Sequence, residues 1–181
     1  MKTFNEYYTI TESPQLTDDI GTSIPDSPIG NKQLATKFMK NGKVVTQFNF
    51  RGIMVYVFEI RHSSGSLSHG AIHNGELLAA FDCDPKFGGI QFSGVWNSKS
   101  MKGLARYIML NFYLQTYRFI QSSDIHTPRG ARYWKKLIQS VPIERVVVIN
   151  DAAGTEEPVT DVDKLWGHES TAGHKLIRIY A

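Results

Sequence analysis

Apolar and polar positions along the chain change period several times, and each change marks an element. Residues 32–42, KQLATKFMKNG, put Leu34, Ala35 and Phe38 on one side at helical spacing and stop at Asn41-Gly42, which predicts a helix with a glycine end. From residue 43 the period falls to two. KVVTQFNFRG and IMVYVFEIRH read as paired strands joined at Arg51-Gly52, with Val45, Gln47 and Asn49 on one face of the first and Val44, Thr46, Phe48 and Phe50 on the other. The next segment, SSGSLSHGAIHNGE, is small and polar and reads as a loop. ELLAAFDCDP then predicts a strand ended by Pro85, and PKFGG a turn.

The centre of the chain is residues 89–117. Residues 90–96 mix β-branched, aromatic and small side chains as a buried strand does, and residues 104–117 repeat apolar positions at helical spacing with Arg106 as their one charge, so that helix should be covered on most sides. Between them, residues 97–103 form a turn. Further on come a short strand in RFIQSS, a Thr-Pro-Arg-Gly turn and a second helix in ARYWKKLIQ. A strand in IERVVVIND, an acidic loop over 151–164 and a last strand in GHKLIRIYA complete the chain, the two strands pairing across the loop. Residues 1–32, with Pro14, Pro25 and Pro28, read as an irregular arm in which TITESPQLTDDI supplies a strand and a helix start capped at Thr17. The expectation is one α+β domain over 33–181 whose mixed, mostly antiparallel sheet is flanked by helices. Several strands precede the glycine turn, which is the wrong order for a dinucleotide-binding fold.

Composition narrows the classes. The chain has 181 residues, 41% hydrophobic and 20% charged, which suits a globular body. Its net charge of +3 is spread thinly, so a nucleic-acid partner is only weakly supported. Cys83 is the single cysteine, which excludes an intrachain disulfide and a four-thiolate zinc site and fits a reducing compartment. No stretch is apolar enough for a membrane span and the first residues lack a signal-peptide core, so a cytoplasmic protein is expected.

A turn that leads a strand into a helix leaves the first helical N–H groups unpaired at the positive end of the dipole, where anions bind. Gly103 would admit a phosphate close to the backbone, Ala105 keeps the next turn small, and Lys102 adds a cation. Ser100, Met101, Lys102, Gly103, Leu104 and Ala105 fall on the pattern Arg/Gln-x-x-Gly-x-Gly/Ala, and Ser123, Asp124, Thr127, Gly130, Trp134 and Leu137 follow at matching spacing. Residues 76–148 thereby resemble the acyl-coenzyme A-binding half of the GNAT superfamily of N-acyltransferases, in a branch associated chiefly with bacteriophages. Ser100 departs from the pattern; it removes a side-chain contact and keeps the amides.

The resemblance implies acetyl-CoA or a related acyl-CoA as co-substrate. Its pyrophosphate would lie on the amides of Met101, Lys102, Gly103, Leu104 and Ala105, and its pantetheine arm and thioester on the backbone near Gly94, Val95 and Trp96, where the sheet splits beside Ser122. The family's proton-donating tyrosine would fall on Trp134, which does not titrate. Trp134 therefore reads as packing, and Asp124, Ser123 and the neighbouring Tyr133 become the candidates for proton transfer and for recognition of a small-molecule or protein amine. Capping of the second helix is the competing role for Asp124. Asp82 and Asp84 share a face and read as a solvent-facing pair, with proton uptake from an amine as the alternative role. Cys83 reads as a small core residue unless a histidine lies beside it. His62, His69, His73 and His126 lack metal-ligand spacing, so no metal is assigned. Two other readings stay open: a phage protein that keeps the fold without the reaction, as a virion component or host-protein binder, and modification of a nucleobase amine in phage DNA.

Overall fold

The computed structural model describes residues 28–123, 128–150, 153–166 and 175–181. Helix α1, Pro28–Asn41, begins four residues before the expected 32–42. Its buried Leu34, Ala35 and Phe38 are the positions that the spacing picked. Gly42 ends it by close approach: its N–H donates to Phe38 O at 2.8 Å, and a Cβ there would stand 2.7 Å from that same oxygen.

Strands β1, Lys43–Phe50, and β2, Ile53–Arg61, form the expected hairpin. Arg51 and Gly52 both take positive φ, 52° and 85°, as a two-residue hairpin turn requires. The simple alternation in β1 does not hold at its start. A bulge between Val44 and Thr46 turns Val45 inward with Phe48 and Phe50 and leaves Val44 half exposed.

The segment read as a polar loop contains strand β3, Leu67–His73, and six of its seven residues are buried. Its small and polar side chains fit because helix α1 lies close: a Cβ on Gly70 would meet the Phe38 ring at 2.6 Å. Strand β4, Glu76–Lys86, passes through Pro85 instead of stopping there, which is allowed because Pro85 pairs with Ile90 beside the hairpin turn to β5.

Strand β5, Gly89–Asn97, leads through a 3-10 turn at Lys99–Met101 into helix α2, which is α over Leu104–Ile108, π over Met109–Tyr113 and α again over Leu114–Thr116. Strand β6, Phe119–Gln121, helix α3, Pro128–Ile138, and strands β7, Val146–Asn150, β8, Thr155–Pro158, and β9, Lys175–Tyr180, follow. Part of the expected acidic loop is thus a strand, β8, paired with β7, and a 3-10 segment, Val162–Trp166.

Among the described residues the strands form one sheet in the order β1-β2-β3-β4-β5-β6-β9-β7-β8. Every pair is antiparallel except β5 with β6. Strands β7 and β9 pair as expected, and β9 also takes β6 on its other side. This is the α+β, mostly antiparallel architecture that the periodicity predicts. Helices α2 and α3 pack one core on the sheet, with Leu104, Ile108, Tyr113, Trp134 and Leu137 buried in it. Helix α1 packs a second core over Ile72, Leu77, Ala80 and Trp96. No described helix is long and apolar enough to cross a membrane.

Candidate functional site

The parallel pair β5 and β6 is short. Ile90 pairs with Ile120 and Gln91 with Gln121, and there the ladder stops. Gln91 Nε2 still reaches Ser122 O at 3.1 Å, but the Ser122 backbone has turned to β9: its N–H donates to Ile177 O at 2.8 Å. The Ser122 hydroxyl accepts the Ile177 N–H at 2.9 Å, which fixes that departure. Strand β5 runs on for six more residues, so from Phe92 to Asn97 its β6-facing edge carries no ladder partner among the described residues. The sheet is split where the resemblance implies it, between Trp96 and Ser122.

A second irregularity sits at the same point. On the other side of β5, Cys83 pairs with Phe92 and Asp82 with Gly94, leaving Ser93 as a bulge. Bulges re-aim backbone groups, and this one lies two residues past the last β5–β6 pair. Val95 and Trp96 are buried, so what they offer to the split is backbone.

Beyond β5 the side chain of Asn97 staples the turn. Its Nδ2 donates to Ser98 O at 2.7 Å and Met101 O at 2.9 Å, and its Oδ1 accepts the Ala105 N–H at 2.8 Å. The Met101 N–H donates to Ser98 O at 3.1 Å. Of the amides in this turn, those of Gly103 and Leu104 have no acceptor among the described residues. Gly103 has φ 86° and ψ −7°, and a Cβ there would meet nothing within 4 Å, so the turn is open to solvent at the start of α2. Lys102 is exposed beside it. Asn97 is a residue the sequence reading passed over; its signal was an asparagine at a strand end just ahead of a glycine-led helix.

The acceptor-side candidates are less gathered. Ser123 is half-buried and its carbonyl accepts from the Ser122 hydroxyl at 2.9 Å. Asp124, Thr127 and His126 lie outside the described residues. Tyr133 is nearly buried and points its hydroxyl at Met109 Sδ, 3.3 Å away on α2. Trp134 is fully buried, in keeping with a packing role.

Two polar chains cross β3 and β4 on opposite faces, one starting on β2 and the other just past its end. On the α2 face Glu59 Oε2 lies 3.4 Å from His69 Nε2, His69 Nδ1 lies 3.7 Å from Cys83 Sγ, and Cys83 Sγ lies 3.7 Å from the Tyr113 hydroxyl. The His69 contact, helped by Lys43 at 3.2 Å, holds Glu59 down to about 2 against the opposing effect of burial. Burial pushes His69 down and keeps it neutral, and burial pushes both the Cys83 thiol and the Tyr113 phenol well up. Cys83 does have a histidine beside it, yet it is a sealed thiol and not a nucleophile.

On the α1 face Ser68 Oγ donates to Asp82 Oδ1 at 2.7 Å, and His62 Nε2 lies 2.7 Å from the same Ser68 oxygen. Asp82 is 2% exposed, so the expected solvent-facing pair with Asp84 is not what forms: Asp82 is a buried, hydrogen-bonded carboxyl and only Asp84 is partly open. Alternation alone misplaces it because the partner that satisfies Asp82, Ser68, sits on β3, whose composition is that of a loop. Among the described residues no group of three or more His, Cys, Asp or Glu side chains converges as a metal site would need.

No family model matches the chain. No curated protein gives a significant match. Among solved structures, an acetyltransferase of Bacillus subtilis in complex with CoA aligns over 93% of this chain and 95% of its own, at 10% identity and a TM-score of 0.35. At that score the likeness defines nothing by itself, and the architecture rests on the strand order and the split.

Proposed function

We propose that the protein is an N-acyltransferase that takes an acyl group, acetyl in the simplest case, from acyl-CoA to an amine. The observation that carries this reading is the β5 edge from Phe92 to Asn97, which has no ladder partner on its β6 side among the described residues and leads into the Gly103 turn. The pantetheine arm of CoA has two amides and can add to a strand edge as an extended peptide does. The pyrophosphate then falls at the head of α2, on the Gly103 and Leu104 amides, with Lys102 as counter-charge. Met101 and Ala105 shape the turn through their bonds to Ser98 and Asn97.

In the reaction the amine nitrogen attacks the thioester carbon, the C–N bond forms, the C–S bond breaks, and one proton leaves nitrogen while the thiolate gains one. Backbone N–H groups at the Ser93 bulge, near Val95 and Trp96, are the donors for the transient oxyanion. Ser123 and Asp124, at the other lip of the split, are the acceptor-side residues, and Tyr133 takes part only if its hydroxyl leaves Met109.

Calorimetric titration with acetyl-CoA tests the reading. Saturable binding is expected for the wild type and for Gly103→Ala, which strains the positive-φ turn without filling it, whereas Gly103→Glu should abolish binding. No binding to the wild type would sink the enzyme reading. The buried Trp134 and the serine at position 100 would then favour the second one, a phage-type protein that keeps the fold and binds a host protein.

A further inference from the structure

The geometry points to Asp82 as the acid that protonates the departing thiolate, recharged from solvent through Ser68 and His62. This rests on the acyl-transfer reading and names a donor that reading lacks, since Trp134 cannot give a proton and the Tyr133 hydroxyl is turned to Met109.

Register places the three groups. Ser68 pairs with Asp82 and Asp82 with Gly94, so Ser68, Asp82 and Gly94 form one row across β3, β4 and β5 on the α1 face. His62 follows Arg61 at the end of β2, and its backbone N–H bonds Ser66 O at 2.9 Å, which keeps it beside β3. The row starts at a half-buried histidine and ends beside Gly94, inside the stretch of β5 that has lost its β6 partner. Gly94 carries no side chain to separate the carboxyl from the β5 backbone. Ser93 Oγ donates to Asp82 O at 3.2 Å and ties the bulge to the same residue.

Hydrogen-bond arithmetic gives the row a direction. A hydroxyl has one hydrogen, and Ser68 spends it on Asp82 Oδ1. Its oxygen must therefore accept from His62, which puts the imidazole hydrogen on Nε2 and leaves the lone pair on Nδ1. A proton taken up at Nδ1 moves inward by two short transfers: the Nε2 hydrogen passes to Ser68, and the Ser68 hydrogen passes to Asp82. Asp82 then gives its proton to the thiolate sulfur as the C–S bond breaks and is a carboxylate again. The proton lost by the amine goes to water, so the reaction balances. Asp82 is the catalytic residue in this scheme; Ser68 and His62 are positioning residues that act through it.

Thiol release from acetyl-CoA, in water and with a panel of primary amines, tests the row in Asp82→Asn and His62→Ala, with acetyl-CoA affinity measured in parallel. Both variants should bind acetyl-CoA within about twofold of wild type and release thiol about a hundredfold more slowly, the scale of general acid catalysis. Added imidazole should restore much of the rate in His62→Ala and none in Asp82→Asn, a response that a merely structural histidine would not give. His62 is half-buried at a strand end, so its variant keeps the question answerable if Asp82→Asn folds poorly. Wild-type release rates in both variants, or a wild-type protein that binds acetyl-CoA but releases no thiol, would overturn the row and leave the cofactor site standing. Failure to bind acetyl-CoA at all would instead count against the acyl-transfer reading.

Discussion

Two rows of polar side chains run across β3 and β4, one on each face, and they differ in where they end. The row Glu59, His69, Cys83 and Tyr113 lies under α2, and three of its four members are sealed from solvent. The row His62, Ser68 and Asp82 lies on the α1 face and runs from a half-buried imidazole to a buried carboxyl that pairs with Gly94 of β5. Side chains alternate between faces along a strand, so neighbours such as Ser68 and His69 serve different rows. A closed row fixes packing and protonation states. In the acyl-transfer proposal the row that begins at His62 would connect solvent with the place where bonds change.

The largest effect should come from the closed end of the first row. Tyr113 is fully buried at the end of the π segment, and its ring meets His69, Phe81, Phe92 and Phe112 at centroid distances of 5.3, 5.3, 4.7 and 5.0 Å. Tyr113→Ala should destabilise by about 3–5 kcal/mol, the range for deleting a buried aromatic. Tyr113→Phe, which loses only the hydroxyl contact to Cys83, should cost about 1 kcal/mol. Urea unfolding of both measures the difference. Equal losses would mean that the hydroxyl and not the ring holds this row together.

Acid should act on the closed row before it unfolds the rest. His69 is pushed down from 6.5, so the unfolded chain binds a proton that the folded chain refuses, and stability falls as pH drops below that ordinary value. Glu59 is held at about 2 against an ordinary 4.5, so a second loss follows as pH falls from 4.5 towards 2. Glu59→Gln should lower stability at pH 7 and remove the pH dependence between 4.5 and 2 while leaving the loss near 6.5. Thermal unfolding across that range checks the sign. An unchanged acid limb in the variant would place the titrating carboxyl elsewhere.

The sequence showed the frame of this molecule better than its polar interior. Period-two runs in β1 and β2, the continuous run of β4 and helical spacing in α1 and α2 are written largely in apolar side chains, and each element lies close to where that pattern puts it. The split was legible only through the resemblance carried by the Gly103 turn and the residues after Ser122, not through periodicity. Strand β3 was hidden, because Ser66, Ser68, His69 and Gly70 have the composition of a loop. They are buried only because Phe38 lies on Gly70, Glu59 contacts His69 and Asp82 accepts from Ser68, all contacts that depend on tertiary pairing. Both polar rows pass through β3, so missing it meant missing both. Asn97 was missed for a related reason: its three bonds close a turn whose shape no spacing reveals.

The smallest effect should belong to Cys83, and it separates geometry from reactivity. A thiol with an imidazole at 3.7 Å and a carboxylate behind that imidazole has the connectivity of a nucleophilic triad. Its environment argues the other way. Burial favours the neutral thiol and the neutral imidazole together, and no thiolate forms where both members of the ion pair would be desolvated. The native protein should therefore resist a thiol reagent such as iodoacetamide and react only as it unfolds, with the rate rising as urea is added. Cys83→Ala should cost about 1 kcal/mol, the usual scale for a small change of buried side chain, and leave thiol release from acetyl-CoA unchanged. Rapid labelling of the native state would show that the first row opens to solvent as the second does, and the contrast between them would be lost.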